Sequence, residues 1–270
     1  MGGILIWGTL LVLILSFWFL DRVLKIDSFH SFNFLTRKET LLPLGAFLGA
    51  SLVGLADDWL DVKKKGHNGR GLRFRYKIWL YALVAIIGAW WFYFKLGFSS
   101  VFVPFLGNYD IGWLFILFFI FVVIGTSFSV NQTDGLDGLA GGILLMAFFG
   151  FGLIALSQGK ENLTSFIGVI CGGLLAFLWF NVHPARFFMG DTGSMGLGVL
   201  LAIVAFLTNS VLLLPIIGFV FLVEAFSTIG QLASKRFFGQ KIFLSSPLHH
   251  HLQALGWPET KITMRFWIIS

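Results

Sequence analysis

A chain of 270 residues that is 57% hydrophobic and only 12% charged, where soluble domains carry roughly 25% charge, is not a soluble enzyme, a disordered segment or a fibrous repeat. Its mean hydropathy is +0.87, and long apolar runs recur from end to end, as in an integral helical membrane protein. The net charge of +6 therefore points to cationic loops facing anionic lipid or substrate at one membrane surface, and no nucleic-acid partner is expected.

Crossing the hydrocarbon takes roughly 17–25 apolar residues, or somewhat fewer with local thinning. Runs of this kind cover 3–20, 41–56, 78–94, 112–130, 139–156, 163–180, 195–207 and 211–226, and an apolar start at 264–270 follows. None alternates as a barrel strand would. The expected fold is an all-α polytopic membrane bundle, about eight complete spans plus the start of another, forming one domain over 1–270. No basic stretch precedes the first run and no small-residue cleavage site follows it, so no removed signal peptide is expected. The single cysteine, Cys171, permits no intrachain disulfide.

Alternate loops differ in charge. Segments 57–77, 131–138, 181–194 and 227–261 hold twelve Lys and Arg, and the opposite set holds six. The positive-inside rule puts the richer set in the cytoplasm. Asp57, Asp58, Asp134, Asp137 and Asp191 fall in or beside these same loops, as does His249-His250-His251. Reactive side chains from four loops thus converge on one face.

In ADDWLDVKKKGHNGRG a span ends in Asp57-Asp58. Neighbours on a helix diverge by about 100°, so one carboxylate would face a metal or substrate while the other orients a loop or takes a proton. Carboxylates at a helix C-terminus oppose the macrodipole, which makes them unusual as caps; a solvated helix end is the plainer alternative. The basic set Lys63, Lys64, Lys65, Arg70, Arg73, Arg75 and Lys77 is expected at the headgroup surface, with one or two members against a phosphorylated substrate.

In Asn131-Gln-Thr-Asp134-Gly-Leu-Asp137-Gly, carboxylates at i and i+3 would share a helical face and repel unless a cation sits near them. Mg²⁺ suits such oxygen ligands; an Asx-type cap is the alternative. In the segment from Phe180 to Ser194, Asp191 could complete a metal site while Asn181 and Ser194 offer neutral hydrogen bonds. Three consecutive histidines rarely face one tetrahedral centre, so His249–His251 suit phosphate oxygens or proton transfer better than zinc; a solvated loop is again open. Glu224 stands inside a span, where an ionised carboxylate needs a buried partner or the interface. Carboxylates, bases and imidazoles at a membrane surface fit phosphoryl transfer, and the missing Gly-x-x-x-x-Gly-Lys pattern leaves an ATP-driven pump unsupported.

The blocks MGGI, ADDWLD, NQTDGLDGLAGG, FNVHPARFFMGDTGS, SPLHHHLQALGWPE and RFWIIS, in that order over nearly the whole chain, resemble the phospho-N-acetylmuramoyl-pentapeptide transferases. These belong to the polyprenyl-phosphate N-acetylhexosamine-1-phosphate transferase superfamily. Relatives that transfer N-acetylglucosamine-1-phosphate usually carry Arg-x-His-x-His-His, whereas Pro247-Leu248-His249-His250-His251 is similar to the muramoyl version. The resemblance implies transfer of phospho-N-acetylmuramoyl-pentapeptide from its UDP carrier to undecaprenyl phosphate, releasing UMP and requiring Mg²⁺. It also implies a multi-pass enzyme of the bacterial inner membrane with ten spans, a cytoplasmic-face site and a homodimeric assembly.

By motif match, Asp191 would be the main Mg²⁺ ligand, and Asp57 and Asp58 would activate or bind the acceptor. Asn131, Asp134, Asp137 and Asn181 would line the nucleotide-sugar and diphosphate pocket. Lys77 and His250 would contact the donor, His250 as part of the catalytic set, with His249 and His251 among the substrate-binding residues. Direct attack by undecaprenyl phosphate on the sugar-bearing phosphorus is preferred to a covalent aspartyl-phosphate route.

This sequence departs from the family at Asp61, where Lys is common, at Phe128-Ser129 before Val130-Asn131, and at Gln253, where Glu is usual. The resemblance places MGGI after a first helix and RFWIIS at the opening of a last one, so both of those helices would be missing or cut short. A sister transferase using another UDP-sugar, a cation-coupled transporter with carboxylates near mid-span, and an inactive scaffold are the competing readings.

Overall fold

A computed structural model describes residues 2–25, 32–36, 38–65 and 71–270; Arg70 of the basic set lies outside them. Among the described residues, seven helices are long and apolar enough to cross a bilayer, and a bent pair makes eight. They are α1 (Gly3–Arg22), α2 (Lys38–Val62), α3 (Phe74–Trp90), α4 (Leu114–Thr133), α5 (Leu139–Ser157), α6 (Glu161–Asn181) and α7 (Gly190–Leu207). After α7 the chain makes α8 (Leu214–Ile217), α9 (Phe219–Phe238), α10 (Leu248–Ala254) and α11 (Glu259–Ile269). The all-α membrane bundle expected from composition is the fold observed.

The bundle turns outward what a soluble protein would hide. Leu15, Phe121, Leu175 and Trp179 are exposed, because lipid replaces water as their solvent. With no hydrophobic force between helices in lipid, close backbone packing and small residues join them. Helix α7 is the axis of this packing and is buried along nearly its whole length. A Cβ on Gly54 of α2 would collide with the backbone of Asp191, and a Cβ on Gly198 would lie 2.6 Å from the Ser127 Cα of α4. At the far end of the bundle, Phe92, Phe115, Phe119 and Phe206 interlock, with the Phe119 and Phe206 ring centroids 4.6 Å apart.

Several elements differ from expectation. The run 211–226 is not one straight span: it breaks at Gly218 and bends by 80° into α9. Helix α7 starts five residues before 195, which moves Asp191 from a loop into a first helical turn. Helix α2 runs past Asp57-Asp58 to Val62, so the pair stands a turn inside the helix rather than at its end. A small antiparallel hairpin, β1 (Ser100–Val103) with β2 (Gly107–Asp110), pairs Val101 with Tyr109 between α3 and α4. It lies between the spans, where apolar-run counting has no resolution.

Polar contacts bring the starts of α1, α3, α5 and α7 and the ends of α2, α4 and α6 to one end of the bundle. The Gly2 and Gly3 N–H groups donate to Phe188 and Met189 carbonyls just before α7. Gly138, at the start of α5, donates to Asn181 at the end of α6.

Candidate active site

Helix α7 opens with its first N–H groups unsatisfied within the helix, as every helix does. Two carboxylates, one from α2 and one from the turn after α4, take three of them. Asp134 Oδ2 accepts the Gly190 N–H at 3.0 Å. Asp58 Oδ1 accepts the Asp191 N–H at 3.2 Å, and Oδ2 accepts the Thr192 N–H at 3.1 Å and its hydroxyl at 2.6 Å. Both acids also meet the positive end of the α7 dipole. Asp58 is thus a cap supplied from α2, and it fixes the backbone that carries Asp191.

The Asp191 carboxylate is held from two sides. Asn131 Nδ2 donates to Oδ1 at 2.8 Å and to Ser194 Oγ at 2.9 Å. Lys77 Nζ lies 2.7 Å from Asp191 Oδ2 and 2.5 Å from Asp57 Oδ2, while Asp57 Oδ1 accepts the Leu72 N–H at 2.6 Å. Ligand oxygens of Asp57, Asp58 and Asp191 all lie within 4.8 Å of one another. This all-oxygen set, with the Lys77 ammonium against two of its members, could hold a hard divalent ion that keeps waters and phosphates in its shell.

The expectation that Asp134 and Asp137 share a helical face is corrected. Residues 134–138 form a turn, and the two acids part company, which relieves their repulsion without a cation between them. Asp137 Oδ2 accepts the Ala185 N–H at 3.0 Å and faces His183 Nδ1 at 3.0 Å. Its own N–H donates to Glu259 Oε1 at 2.7 Å. Asp137, His183 and Glu259 form a second group with metal-ligating atoms within 4.8 Å, beside a cavity of about 90 Å³ lined in part by Thr263 and Trp267 of α11. Asn181 ties this region to the first: Oδ1 accepts the Gly138 N–H at 3.2 Å and Nδ2 donates to the Phe187 carbonyl at 2.9 Å.

The histidines occupy a short helix, not a solvated loop. His249 is wholly buried against Glu224, so the intraspan carboxylate has the buried partner its cost demands. The hydrogen bonds of the other two are local: His250 Nδ1 with Gln253 Oε1 at 2.8 Å, and His251 Nδ1 accepting the Leu244 N–H at 3.2 Å.

Residues 40–209, from α2 through α7, match the family described as glycosyl transferase family 4. That stretch contains every member of the Asp57–Asp58–Asp191 group and its Lys77 and Asn131 partners. The chain belongs to glycosyl transferase family 4. It is also similar to curated proteins named phospho-N-acetylmuramoyl-pentapeptide-transferase. The one from Caldanaerobacter subterraneus subsp. tengcongensis is 43% identical over 86% of this chain and 73% of its own length. The one from Chloroflexus aurantiacus is 37% identical over all of this chain and 73% of its own length, and that from Shouchella clausii is 41% identical over 86% and 71%.

In this family 4 transferase, sequence reasoning overlooked two residues at the site. Glu259 closes the WPE block and reaches back to Asp137, a contact invisible without the fold. Tyr81 was findable: it stands four residues after Lys77, on the same helical face. It is buried, its hydroxyl has no hydrogen-bond partner among the described residues, and it is near enough to Asp191, Asp57 and Asp58 to feel their charge.

Two tests of the α7 start follow from this geometry. Gly190 has φ +71°, a left-handed value that strains any Cβ by roughly 1–2 kcal/mol, and its Cβ would sit 2.7 Å from Asp58 Oδ2. Gly190→Ala is expected to cut turnover about 100-fold, as ångström-scale misplacement does; kcat in detergent or nanodiscs is the measurement.

Burial pushes the Asp134 pKa up to about 7, helped by the negative charges of Asp191 and Asp58 and opposed by the Gly190 N–H. A folded-state pKa above the ordinary 3.8 means the folded protein holds a proton that the unfolded chain has released, so stability falls as pH rises from about 4 to 7. Asp134→Asn should flatten that slope. In EDTA its apparent Tm should exceed the wild type's at pH 8 and match it at pH 4.

Proposed function

We propose that this enzyme transfers phospho-N-acetylmuramoyl-pentapeptide from UDP to undecaprenyl phosphate at the cytoplasmic membrane face, using Mg²⁺ and releasing UMP. The observation that carries the reading is the set Asp57, Asp58, Lys77, Asn131 and Asp191 at the start of α7, gathered from four helices at one end of a membrane bundle. The names of the similar proteins support the donor and acceptor, and the twelve-to-six distribution of basic residues supports the cytoplasmic side.

Asp191, with Asp57 beside it, would hold the Mg²⁺; Asp58 is committed to the α7 backbone. The ion would offset the charge of the donor diphosphate as the new phosphate ester forms. The protein's own groups do the positioning. Asn131 and Ser194 set the rotamer of Asp191. Lys77 neutralises Asp57 and Asp191 and can swing one bond rotation toward a phosphate oxygen, as a flexible ammonium does.

Direct attack by the acceptor phosphate is favoured over an aspartyl-phosphate intermediate, because a nucleophilic carboxylate needs a free oxygen. Both Asp58 oxygens are engaged by α7, and Asp57, which accepts the Leu72 N–H and faces the Lys77 ammonium, would be occupied beside the Mg²⁺. A phospho-enzyme trapped on Asp57 or Asp58 would reverse that order.

The deciding experiment incubates purified protein with undecaprenyl phosphate, UDP-N-acetylmuramoyl-pentapeptide and Mg²⁺ and measures UMP. Mg²⁺-dependent UMP from this donor, and not from UDP-N-acetylglucosamine, is expected. The reverse donor preference would make it a sister transferase, and no UMP from either donor would leave the scaffold reading.

A further inference from the structure

The turn that joins α4 to α5 lies with its backbone against α11. Along that helix Glu259, Thr263 and Trp267 recur four residues apart, the spacing that stacks side chains on one face, and each of them meets the backbone of Asp137 or Gly138. Glu259 Oε1 accepts the Asp137 N–H at 2.7 Å. The Thr263 hydroxyl donates to the Asp137 carbonyl at 3.2 Å, and Trp267 Nε1 donates to the Gly138 carbonyl at 3.1 Å. The Gly138 N–H goes to Asn181 at the end of α6, at 3.2 Å. Side chains of two other helices thus meet all four peptide N–H and C=O groups of two consecutive turn residues.

Packing alone would not need this arrangement. Ile262 and Phe266 of α11 are buried and already supply apolar contact, whereas Thr263 spends a buried position on a hydroxyl. The Trp267 ring lies so near α5 that a Cβ on Gly142 would collide with it. The contact is directional, and what it directs is the turn that serves the site. At one end of the turn Asp134 accepts the Gly190 N–H, next to Asp191. At the other Asp137 accepts the Ala185 N–H and faces His183, in the segment that leads into α7. Glu259 makes the one contact of the three in which the helix side chain is the acceptor. It stands in the first turn of α11, where the helix dipole suits a carboxylate.

We infer that Glu259 is a positioning residue for the donor: with Thr263 and Trp267 it clamps the Asp137–Gly138 backbone, so that the turn from Asp134 to Asp137 is already ordered when the nucleotide-sugar diphosphate binds. The inference rests on the proposed reaction and gives α11, which lies outside the 40–209 family match, a part in it. A turn left loose would have to be ordered by the donor itself, and that cost is subtracted from donor affinity. Because the ordered turn serves ground state and transition state alike, its loss raises KM and spares kcat.

UMP release is measured while donor and undecaprenyl phosphate are varied in turn, for the wild type, Glu259→Gln, Glu259→Leu, Thr263→Val and Trp267→Phe. Amide hydrogen exchange is followed in peptides covering residues 134–138 of the same proteins without substrate. Glu259→Leu removes the acceptor. It should raise the donor KM about 10- to 100-fold, the worth of one hydrogen bond to a charged group, and speed exchange at the turn. Its kcat and its KM for undecaprenyl phosphate should stay within about threefold of the wild type. Glu259→Gln keeps an acceptor oxygen and should stay near the wild type in both measurements. Thr263→Val and Trp267→Phe, which each remove one neutral donor and keep most of the side chain's shape, should raise the donor KM about 2- to 10-fold.

A Glu259→Leu protein whose donor KM or turn exchange is unchanged would overturn the inference, and so would an equal rise in both substrates' KM values. Glu259→Gln as impaired as Glu259→Leu would also overturn it, since charge and not the hydrogen bond would then matter. If Glu259→Leu does not fold, Thr263→Val and Trp267→Phe decide by the same two measurements. Each of these outcomes leaves the proposed reaction standing. Wild-type protein that makes no UMP from either UDP-sugar would instead sink the functional reading, while exchange at residues 134–138 would still test the clamp.

Discussion

Asp191→Asn is expected to lower Mg²⁺-dependent UMP release by about 10³-fold or more, with an apparent Tm within a few degrees of the wild type. The substitution is nearly isosteric, and an Asn oxygen can still accept from Asn131, now 2.8 Å from Asp191 Oδ1. The backbone hydrogen bonds from residues 191 and 192 to Asp58 do not involve the altered group. What disappears is one negative charge at the meeting point of four helices, and with it the carboxylate proposed to hold the divalent ion. Removing a single preorganised electrostatic group from a phosphoryl- or acyl-transfer site costs about 10²–10³ in rate, and loss of the metal adds to that. The measurement is UMP release at saturating donor across a Mg²⁺ titration. Equal turnover would remove Asp191 from the mechanism, and a deficit restored by high Mg²⁺ would reduce its role to affinity.

The spans were legible in the sequence because lipid imposes one rule along the chain: every crossing must be apolar and helical. Seven of the eight expected crossings fall on unbroken helices. The eighth is a bent pair: the chain turns by 80° at Gly218 without interrupting the apolar run, and hydropathy carries no direction. The convergence of Asp57, Asp58, Asn131 and Asp191 was also legible, since an even number of crossings between loops puts their residues on one membrane side.

What spacing could not resolve was division of labour within each motif. That Asp57 and Asp58 divide their roles is readable from their divergence of about 100° on a helix, but not that Asp57 pairs with Lys77 and Asp58 caps α7. Asp134 and Asp137 appear as an i, i+3 pair only if the intervening residues are helical, and Gly135 and Gly138 make them a turn instead. Glu224 could be read as needing a partner, but sequence alone did not say that the partner was His249, 25 residues on. Glu259, which reaches the site from a distance, carries no local signal that marks it apart from any acid near a helix start, whereas the i, i+4 spacing of Lys77 and Tyr81 was there to be read.

Lys77→Met is expected to make the protein's stability depend on Mg²⁺. In the wild type the Lys77 ammonium touches two carboxylates, at 2.5 and 2.7 Å, and all three side chains are mostly shielded, with 22%, 7% and 20% side-chain exposure for Lys77, Asp57 and Asp191. Asp58 adds a third carboxylate within 4.8 Å. Methionine keeps most of the lysine's length and apolar stem but leaves these acids facing one another without a counter-charge. Breaking a buried pair by removing one partner costs about 3–5 kcal/mol, and at about 2–4 °C per kcal/mol for a chain of this size the apparent Tm in EDTA should drop by roughly 10 °C. Millimolar Mg²⁺ should restore most of that loss in Lys77→Met while moving the wild type by much less, because an added cation takes over the neutralisation that the ammonium performed. Turnover should not recover with stability, since Mg²⁺ cannot replace a side chain that also reaches for the donor phosphates. Thermal shifts of both proteins in EDTA and in Mg²⁺, with UMP release on the same samples, provide the check. A Lys77→Met protein whose Tm ignores Mg²⁺ would mean that the ammonium and the metal do not share these carboxylates, and the ion would have to be sought at the Asp137–His183–Glu259 group instead.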